Sequence, residues 1–240
     1  MPASRGARLR CGLMYRAVLF DLDGTLVDHA SAARIGVDAW CQTLGLPTGQ
    51  WQRWHEIEQK WFTRFENGEV SHVGQRVERC KEFLGRPSLT DDEALELYEG
   101  YLSVYRSQWR AYDDARPALT AALDAGVRVG ILTNGAEKLQ RAKLERTGLL
   151  IDAVLLIATV ELGVAKPHPA AYAAALERLG VGAEETLVVG DSWANDVAGP
   201  RAVGIDALLL QRADQPRDPA APPDEPAMDT LVGVIDQLRA

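Results

Sequence analysis

The sequence contains little of what marks a secreted or membrane-spanning protein. Cysteine occurs three times in 240 residues, which is an odd number, and no two cysteines form a Cys-x-x-Cys pair. We therefore interpret them as free thiols in a reducing compartment. The longest apolar runs have five to seven residues, far fewer than the roughly 20 that cross a bilayer. Because no apolar segment follows the arginines of the first 13 residues, we expect no signal peptide and a cytoplasmic location.

An excess of positive charge is also missing. The chain has 26 Lys and Arg residues against 34 Asp and Glu residues, for a net charge of −8. This balance gives no general attraction to nucleic acid polymers or anionic membranes, so we expect neither as a partner. An acidic protein that binds anions needs local devices, such as a metal ion, a lysine or backbone N–H groups. Hydrophobic residues at 47% and charged residues at 25% are typical of globular proteins and exclude wholesale disorder.

Five short apolar runs predict buried strands. Each is rich in Val, Ile and Leu without polar alternation, which is typical of strands covered on both faces of a parallel sheet. Helical patterns lie between the later runs. This alternation predicts an α/β fold with a doubly wound, Rossmann-like parallel sheet. The predicted strands cover 15–20, 127–132, 153–157, 186–189 and 206–210, and the predicted helices cover 116–125, 136–147, 169–180 and 194–203.

The segment 29–111 has a different pattern. Five of the six tryptophans fall here, and no stretch predicts a strand. Between 51 and 65, aromatic residues recur at three- and four-residue steps, and Thr90 and Glu93 have the spacing of a capping box. We therefore predict a small all-helical domain inserted after the first strand. Its aromatic face is either the core of that domain or the lining of a cleft that stacks a base or a sugar.

These patterns divide the chain into three parts. We predict a flexible N-terminal tail at 1–14, an α/β core domain formed by 15–28 together with 112–240, and the helical domain at 29–111. Five prolines between 211 and 227 predict an exposed loop or tail without regular structure.

Carboxylates follow two of the predicted strands. Asp21 and Asp23 come directly after the first strand, and Asp191 and Asp196 follow the fourth. Taken alone, each pair has a plain explanation as a solvated turn or a helix cap. Because the carboxyl ends of parallel strands share one edge of the sheet, we expect all four to converge. Two carboxylates about 4 Å apart repel by about 4 kcal/mol at an effective dielectric constant of 20, so the cluster needs a cation, and an all-oxygen site prefers Mg²⁺.

Two further motifs lie at the same predicted edge. Thr133, Asn134 and Gly135 end the second strand and open a helix, where a hydroxyl and free N–H groups suit an anion. Lys166 precedes Pro167, which disfavours helix at the lysine and leaves it in a loop. In isolation, an N-cap and a surface lysine are the simpler explanations. The order of all four motifs along the chain favours a common site.

This ordered set resembles the haloacid dehalogenase-like hydrolase superfamily. The resemblance covers about 15–210, and the helical insertion after the first motif resembles the cap of the superfamily's first subclass. The matching motifs are Asp21-x-Asp23-Gly24-Thr25, Thr133-Asn134-Gly135, Lys166-Pro167 and Gly190-Asp191-Ser192-x-x-Asn195-Asp196.

The resemblance implies a mechanism for phosphoryl transfer. Asp21 would be the nucleophile that forms an aspartyl-phosphate, and Asp23 would protonate the leaving oxygen and then act as a base towards water. Lys166 would neutralise the nucleophile and the transferred group. The resemblance also implies that Mg²⁺ binds Asp21, the backbone carbonyl of Asp23 and Asp191, with Asp196 as a further ligand or as a partner of a ligand. Phosphate oxygens would bind Thr133 and the N–H groups of Asn134 and Gly135.

Several activities of the superfamily share these motifs. Its dehalogenases lack the second aspartate of the first motif and need no metal, so Asp23 favours a phosphatase of a small phosphorylated metabolite, such as a nucleotide, a sugar phosphate or a short-acid phosphate. A phosphomutase shares all four motifs, and a catalytically silent regulator usually lacks a nucleophile or a ligand. Pro200 has no N–H for the Asp196 carbonyl, so we also predict a break in the helix near 199–200.

Overall fold

The structure, a computed structural model, describes residues 15–213 and 215–239. The predicted tail at 1–14, including Cys11, lies outside this range. Six parallel strands form one sheet in the order β3-β2-β1-β4-β5-β6, which confirms the predicted doubly wound α/β class. The strands are β1 (Ala17–Phe20), β2 (Arg128–Thr133), β3 (Val154–Ala158), β4 (Thr186–Gly190), β5 (Asp206–Leu210) and β6 (Ala227–Met228).

Ten α-helices are described in this part of the chain. They are α1 (His29–Thr43), α2 (Trp51–Glu66), α3 (His72–Leu84), α4 (Asp91–Ser107), α5 (Ala115–Asp124), α6 (Glu137–Thr147), α7 (Thr159–Leu162), α8 (Pro169–Leu179), α9 (Gly199–Ala202) and α10 (Val232–Arg239). The helix predicted at 194–203 is present but changes type, because a π-helix over Trp193–Ala198 runs directly into α9, with Pro200 in the first turn of α9. The backbone stays helical across 198–199, so a change of helix type, rather than the predicted break, lies at this position.

The sheet is buried on both faces, which explains the uninterrupted apolar runs. Side chains alternate across a strand, so Val18 and Phe20 join the apolar cluster on one face while Ala17 and Leu19 join the cluster on the other. All four residues of β1 are fully buried. As the central strand of the sheet, β1 brings Asp21 and Asp23 to the middle of its carboxyl edge.

Helices α1 to α4 pack around an aromatic core of their own. Trp54 lies 4.6 Å from Tyr101 between ring centroids, and Trp40 stacks on Phe83 at 5.4 Å. The predicted capping box at the start of α4 is present, with Thr90 as the N-cap. Residues 29–110, all of which are described, contain helices and no strand. Most of the aromatic residues therefore serve as core, and some of them also face the cavity described below.

Both connections to these helices run side by side. Val27 forms an antiparallel bridge with Ala111, the Asp28 N–H donates to the Arg110 carbonyl at 3.0 Å, and the Tyr112 N–H donates to the Leu26 carbonyl at 3.0 Å. The helical insertion thus leaves and re-enters the sheet directly beyond β1. This placement puts α1 to α4 over the carboxyl edge of the sheet.

The proline-rich segment differs in part from its prediction. β6 begins at Ala227 and pairs with β5, and buried Arg212 binds Asp114 through two hydrogen bonds of 2.7 and 2.9 Å. Arg201 adds an ion pair to Glu225 at 2.8 Å. The expectation of a segment without regular structure is confirmed for residues 211–213 and 215–226, which contain no helix or strand. The expectation of exposure holds only in part, because Arg212 and Ala221 are buried and the ion pairs of Arg212 and Arg201 tie the segment to the start of α5 and to α9. The short β6 and α10 carried too little pattern to be predicted.

No helix in the described ranges is both long and apolar enough to span a bilayer. Cys41 and Cys80 are free thiols and are buried. Burial raises the pKa of the Cys80 thiol to about 11, so at neutral pH this side chain is a packed thiol rather than a reactive thiolate.

Candidate active site

The sequence-predicted site residues meet at the carboxyl edge of the sheet. Asp21 follows β1, Thr133 ends β2, and Asp191 follows β4. Lys166 lies in the loop between α7 and α8, and Asp196 lies in the π-helix after β4. The convergence expected from the order of the motifs is therefore found in the structure.

Lys166 connects two of the carboxylates. Its Nζ donates to Oδ1 of Asp21 at 2.8 Å and to Oδ1 of Asp196 at 2.7 Å, and the residue is only 2% exposed. Burial alone would lower the pKa of Lys166, but the Asp196 and Asp21 carboxylates outweigh burial and raise it. Lys166 is therefore a permanently charged ammonium held against the first motif.

The acidic cluster is larger than its one ammonium can neutralise. Oxygen atoms of Asp21, Asp191 and Asp196 all lie within 4.8 Å of one another. Burial, with a further contribution from neighbouring carboxylates, raises the pKa of Asp21 to about 7 and that of Asp191 well above its usual range. Two buried carboxylates and the half-buried Asp191 facing one lysine leave negative charge uncompensated, and an all-oxygen donor set of this kind fits a hard divalent cation such as Mg²⁺.

Two glycines allow this close approach of the carboxylates. A Cβ on Gly24, which has a φ of +91°, would lie 2.3 Å from Oδ2 of Asp191, and a Cβ on Gly190 would lie 2.3 Å from the Asp196 carboxyl carbon. Thr25 donates its hydroxyl to Oδ1 of Asp191 at 3.1 Å. The glycines and Thr25 of the sequence motifs thus serve to place Asp191 and Asp196.

Asp23 has a different set of partners, which sequence reasoning missed. The Lys143 ammonium donates to Oδ1 of Asp23, and Gln140 donates to Oδ2 at 3.0 Å. Lys143 is 1% exposed and lies 5.5 and 5.4 Å from the ring centroids of Tyr105 and Trp109. Burial would raise the pKa of Asp23, but Lys143 overcomes this effect and the pKa is lowered. Asp23 is therefore held as a carboxylate in this arrangement.

The signal for these partners lay in the helix after the second motif. Gln140 and Lys143 are three residues apart on α6 and share one helix face. Both are almost fully buried although both are polar. Polar residues beside Leu144 on the buried face of an amphipathic helix indicate a polar partner inside the protein.

The second motif is hydrogen-bonded to the Lys166 loop and to Gln140. The Asn134 side chain donates to the Lys166 carbonyl at 2.9 Å and accepts from the Lys166 N–H at 2.8 Å. Thr133 Oγ1 accepts a hydrogen bond of 2.8 Å from Gln140, and the Gly135 N–H lies 3.4 Å from the same oxygen. Asn134 thus fixes the loop that carries Lys166, while Thr133 and Gly135 lie beside the same network.

Glu66, at the end of α2, connects the helical insertion to these loops. Its Oε1 accepts hydrogen bonds of 2.8 Å from both Asn134 and Asn195. Burial raises its pKa. No sequence motif distinguished Glu66 from other glutamates, so only the structure could identify this contact.

His29, which has no ligand spacing in the sequence, begins a polar chain into the insertion. Its Nδ1 lies 3.9 Å from Oδ1 of Asp23 and 2.8 Å from the Tyr105 hydroxyl. Its Nε2 lies 3.4 Å from Glu58, and Glu58 accepts from Arg79 at 2.9 Å. The first motif is therefore connected through His29 of α1 to Glu58 of α2, and through Glu58 to Arg79 of α3.

A cavity of about 520 Å³ lies between the carboxyl edge of the sheet and the helical insertion. The carboxyl edge of the sheet forms its floor, with Asp21, Asp191 and Lys166, and helices α1 to α4 form its walls. Its volume is enough for a small metabolite. The acidic cluster, Lys166, the second motif and the cavity thus occupy one place in the fold.

Known proteins are similar to this chain in sequence and in fold. Residues 15–204 match the haloacid dehalogenase-like hydrolase family. The chain is 30% identical to ribulose-1,5-bisphosphate 5-phosphatase of Halopiger xanaduensis, over 84% of this chain and 87% of that protein. It is 37% identical to phosphoserine phosphatase of Thermus thermophilus, over 55% of this chain and about half (53%) of that protein. The HAD-hydrolase YfnB of Bacillus subtilis has the same fold, with a TM-score of 0.79 and 22% identity over 94% of this chain and 99% of that one. The chain therefore belongs to the haloacid dehalogenase-like hydrolase family.

Proposed function

We propose that this hydrolase is a Mg²⁺-dependent phosphatase that releases phosphate from a small phosphorylated metabolite through an aspartyl-phosphate on Asp21. The phosphatases among its relatives support the reaction class. The observation that carries the proposal is the Lys166 ammonium, which lies 2.8 Å from the Asp21 carboxylate within a cluster of three acids, two of them buried.

In the first half-reaction, a carboxylate oxygen of Asp21 attacks phosphorus and the bond from phosphorus to the substrate oxygen breaks. Asp23 donates its proton to that leaving oxygen. Lys143 lowers the pKa of Asp23 in the free protein, and a phosphoryl dianion bound beside Asp21 opposes this effect by like-charge repulsion. Substrate binding would therefore favour the protonated form that this step requires.

In the second half-reaction, water attacks the phosphorus of the aspartyl-phosphate. Asp23, now a carboxylate, accepts a proton from that water, and the Asp21–phosphorus bond breaks to release phosphate and restore the carboxylate. Lys166 and the donors of Thr133, Asn134 and Gly135 offset the negative charge on the transferred group. The resting arrangement, with Asp23 ionised, is the form that this step needs.

Asp21, Asp191 and Asp196 would hold the metal ion together with the backbone carbonyl of Asp23. When bound, Mg²⁺ lowers the pKa of Asp21 and neutralises charge on the phosphoryl oxygens. The chain's own residues supply the nucleophile, the proton donor and the fixed ammonium. An arrangement with Asp23 and three metal-binding carboxylates favours phosphoryl transfer over metal-independent dehalogenation.

We further propose that α1 to α4 act as a cap domain at 29–111 that closes over a core of 15–28 and 112–240. The paired connections at 26–28 and 110–112 are the positions where such a motion would hinge. Glu66 crosses from the cap to Asn134 and Asn195. Closure would exclude water from Asp21 before phosphoryl transfer begins.

The test is phosphate release from a panel of nucleotide, sugar and short-acid phosphates, with Mg²⁺ and again with chelator. We expect release from one class of ester that is abolished by chelator and restored by added Mg²⁺. Analysis of the organic product separates a phosphatase from a phosphomutase, since the latter returns the phosphate to an isomeric sugar. Folded, Mg²⁺-loaded protein that releases no phosphate from any ester would contradict the proposal.

A further inference from the structure

Helix α3 of the helical insertion contributes polar residues to the cavity, whereas the acidic cluster lies at the edge of the sheet. Gln75, Arg76 and Arg79 all line the cavity, and Arg76 and Arg79 lie one helical turn apart. None of the four sequence motifs includes these residues. They contact the cavity at the end where the part of the substrate remote from phosphorus would lie.

The polar groups of this face are only partly satisfied inside the protein. Arg79 is 5% exposed and donates through Nη1 to Glu58, yet its Nε has no hydrogen-bond partner in the structure. Gln75 is 2% exposed, and its Oε1 also has no partner. Buried donors and acceptors without partners are costly. These two atoms lie on one face of one helix and are closed to solvent in this arrangement, so a polar ligand in the cavity completes their hydrogen bonding once these side chains turn towards it.

Arg76 adds a positive charge to the same face. It is half-buried, and among the described residues no hydrogen bond or ion pair engages its guanidinium. Glu58 offsets the charge of Arg79, so Arg76 leaves this end of the cavity with an excess positive charge. His72 lies one turn before Arg76 on the same helix. Burial, and after it the positive charges of Arg76 and Arg79, lower the pKa of His72 to about 4.

We infer that Arg76, Arg79 and Gln75 form a subsite for a second anionic group of the substrate, a carboxylate or a further phosphate, separated from the reacting phosphate by several atoms. The anionic oxygens accept from the Arg76 guanidinium and, once the Arg79 side chain turns towards the cavity, from its Nε. A neighbouring hydroxyl donates to Oε1 of Gln75 when that amide turns in the same way. This inference rests on the proposed function and narrows its substrate class. It excludes esters whose alcohol is uncharged as preferred substrates.

The remote position of the subsite follows from the contacts between it and the first motif. His29 lies 3.9 Å from Asp23, Glu58 lies 3.4 Å from His29, and Arg79 lies 2.9 Å from Glu58. Two side chains therefore stand between Asp23 and the Arg79 guanidinium. A substrate that reaches both ends must span this stretch of the cavity wall, which favours a chain of several atoms over the shortest phosphorylated acids.

The experiment measures binding rather than turnover, using phosphonates that cannot be hydrolysed. A series of ω-phosphonocarboxylates of increasing chain length is compared with alkylphosphonates of equal length by titration calorimetry, with Mg²⁺ present. At one length we expect the wild type to bind the phosphonocarboxylate at least about tenfold more tightly, as a charge-assisted hydrogen bond implies. Matched bisphosphonates then distinguish a second phosphate from a carboxylate as the preferred group.

The variant Arg76→Gln should reduce this preference to less than about twofold. Its affinity for the alkylphosphonates should stay as in the wild type. Arg34→Gln, a change at an exposed arginine of α1 outside the cavity lining, is the matched control and should keep the preference. Arg79→Lys retains a positive charge beside Glu58 but removes Nε. It should lower the preference for the phosphonocarboxylate by a smaller factor than Arg76→Gln does.

Equal affinity of the wild type for both members of every pair, or an equal preference in Arg76→Gln and wild type, would overturn the subsite. Failure of the phosphatase proposal has a different signature. In that case the preference for the second anion would be present, but no phosphate would be released from esters of the preferred length. Phosphate release without any preference for a second anionic group would support the phosphatase proposal and refute only the subsite.

Discussion

The ion pair between Glu58 and Arg79 allows a quantitative test of the structure around the cavity. The two side chains meet at 2.9 Å and are 8% and 6% exposed. Replacing Glu58 by Gln keeps the shape of the side chain but removes its charge, which leaves the Arg79 guanidinium buried without its carboxylate. We expect this change to destabilise the protein strongly.

The magnitude follows from the pKa of Glu58. Burial would raise this pKa, but Arg79, and secondarily His29, lower it from 4.5 to about 2. Since one pKa unit corresponds to about 1.4 kcal/mol, the ionised form is stabilised on folding by about 3 kcal/mol. Breaking a buried ion pair by removing one partner generally costs about 3–5 kcal/mol. Both routes predict a loss of about 3 kcal/mol in the free energy of unfolding.

The stabilisation that Glu58 contributes should depend on pH in a defined direction. A glutamate with a lowered folded-state pKa stabilises the protein fully above its unfolded value of 4.5 and loses that contribution as the pH falls towards about 2. The difference in unfolding free energy between wild type and Glu58→Gln should therefore be largest at pH 6–7 and shrink below 4.5. Urea unfolding of both proteins across this pH range measures it.

The matched control is Glu56→Gln, which lies on the exposed side of the same helix. It should change stability by less than about 0.5 kcal/mol at any pH in the range. The reasoning would be refuted if Glu58→Gln were as stable as the wild type at pH 7. It would equally be refuted if the difference between the two proteins stayed constant down to pH 3.

Two further changes probe contacts that no sequence motif contained. Lys143→Met removes the ammonium that binds Asp23, so the pKa of Asp23 should rise and the acid limb of the plot of kcat against pH should move to higher pH. The value of kcat should fall roughly 10- to 100-fold, with KM little changed. An unaltered plot of kcat against pH would show that Lys143 does not position Asp23. Arg212→Met removes the buried partner of Asp114 and should lower the free energy of unfolding, measured by urea titration, by about 3 kcal/mol. A loss below about 0.5 kcal/mol would mean that the proline-rich segment is not anchored through this residue.

The core of the fold and the floor of the site could be predicted from the sequence because both depend on local pattern. The buried strands have continuous apolar runs, and parallel strands bring their carboxyl ends to one edge. That rule alone was enough to expect Asp21, Asp191 and Lys166 together. Thr90 and Glu93 marked the start of α4 in the same way, since a capping box is a contact between residues close in sequence.

The walls of the site could not be predicted, because they depend on how helices pack on the sheet. Lys143 meets Asp23 across 120 residues, and Glu66 meets Asn195 across 129. No local pattern encodes such pairs. Arg76 and Arg79 could be assigned to one helix face, but only the structure shows that this face lines the cavity.

The central claim is that Asp21 is the nucleophile of a phosphatase. The most direct test is phosphate release by Asp21→Asn beside the wild type on the best ester of the panel, with thermal unfolding measured on both proteins. We predict that the variant folds and releases no phosphate above background, while the wild type shows Mg²⁺-dependent turnover. A folded Asp21→Asn variant with full activity would contradict the mechanism.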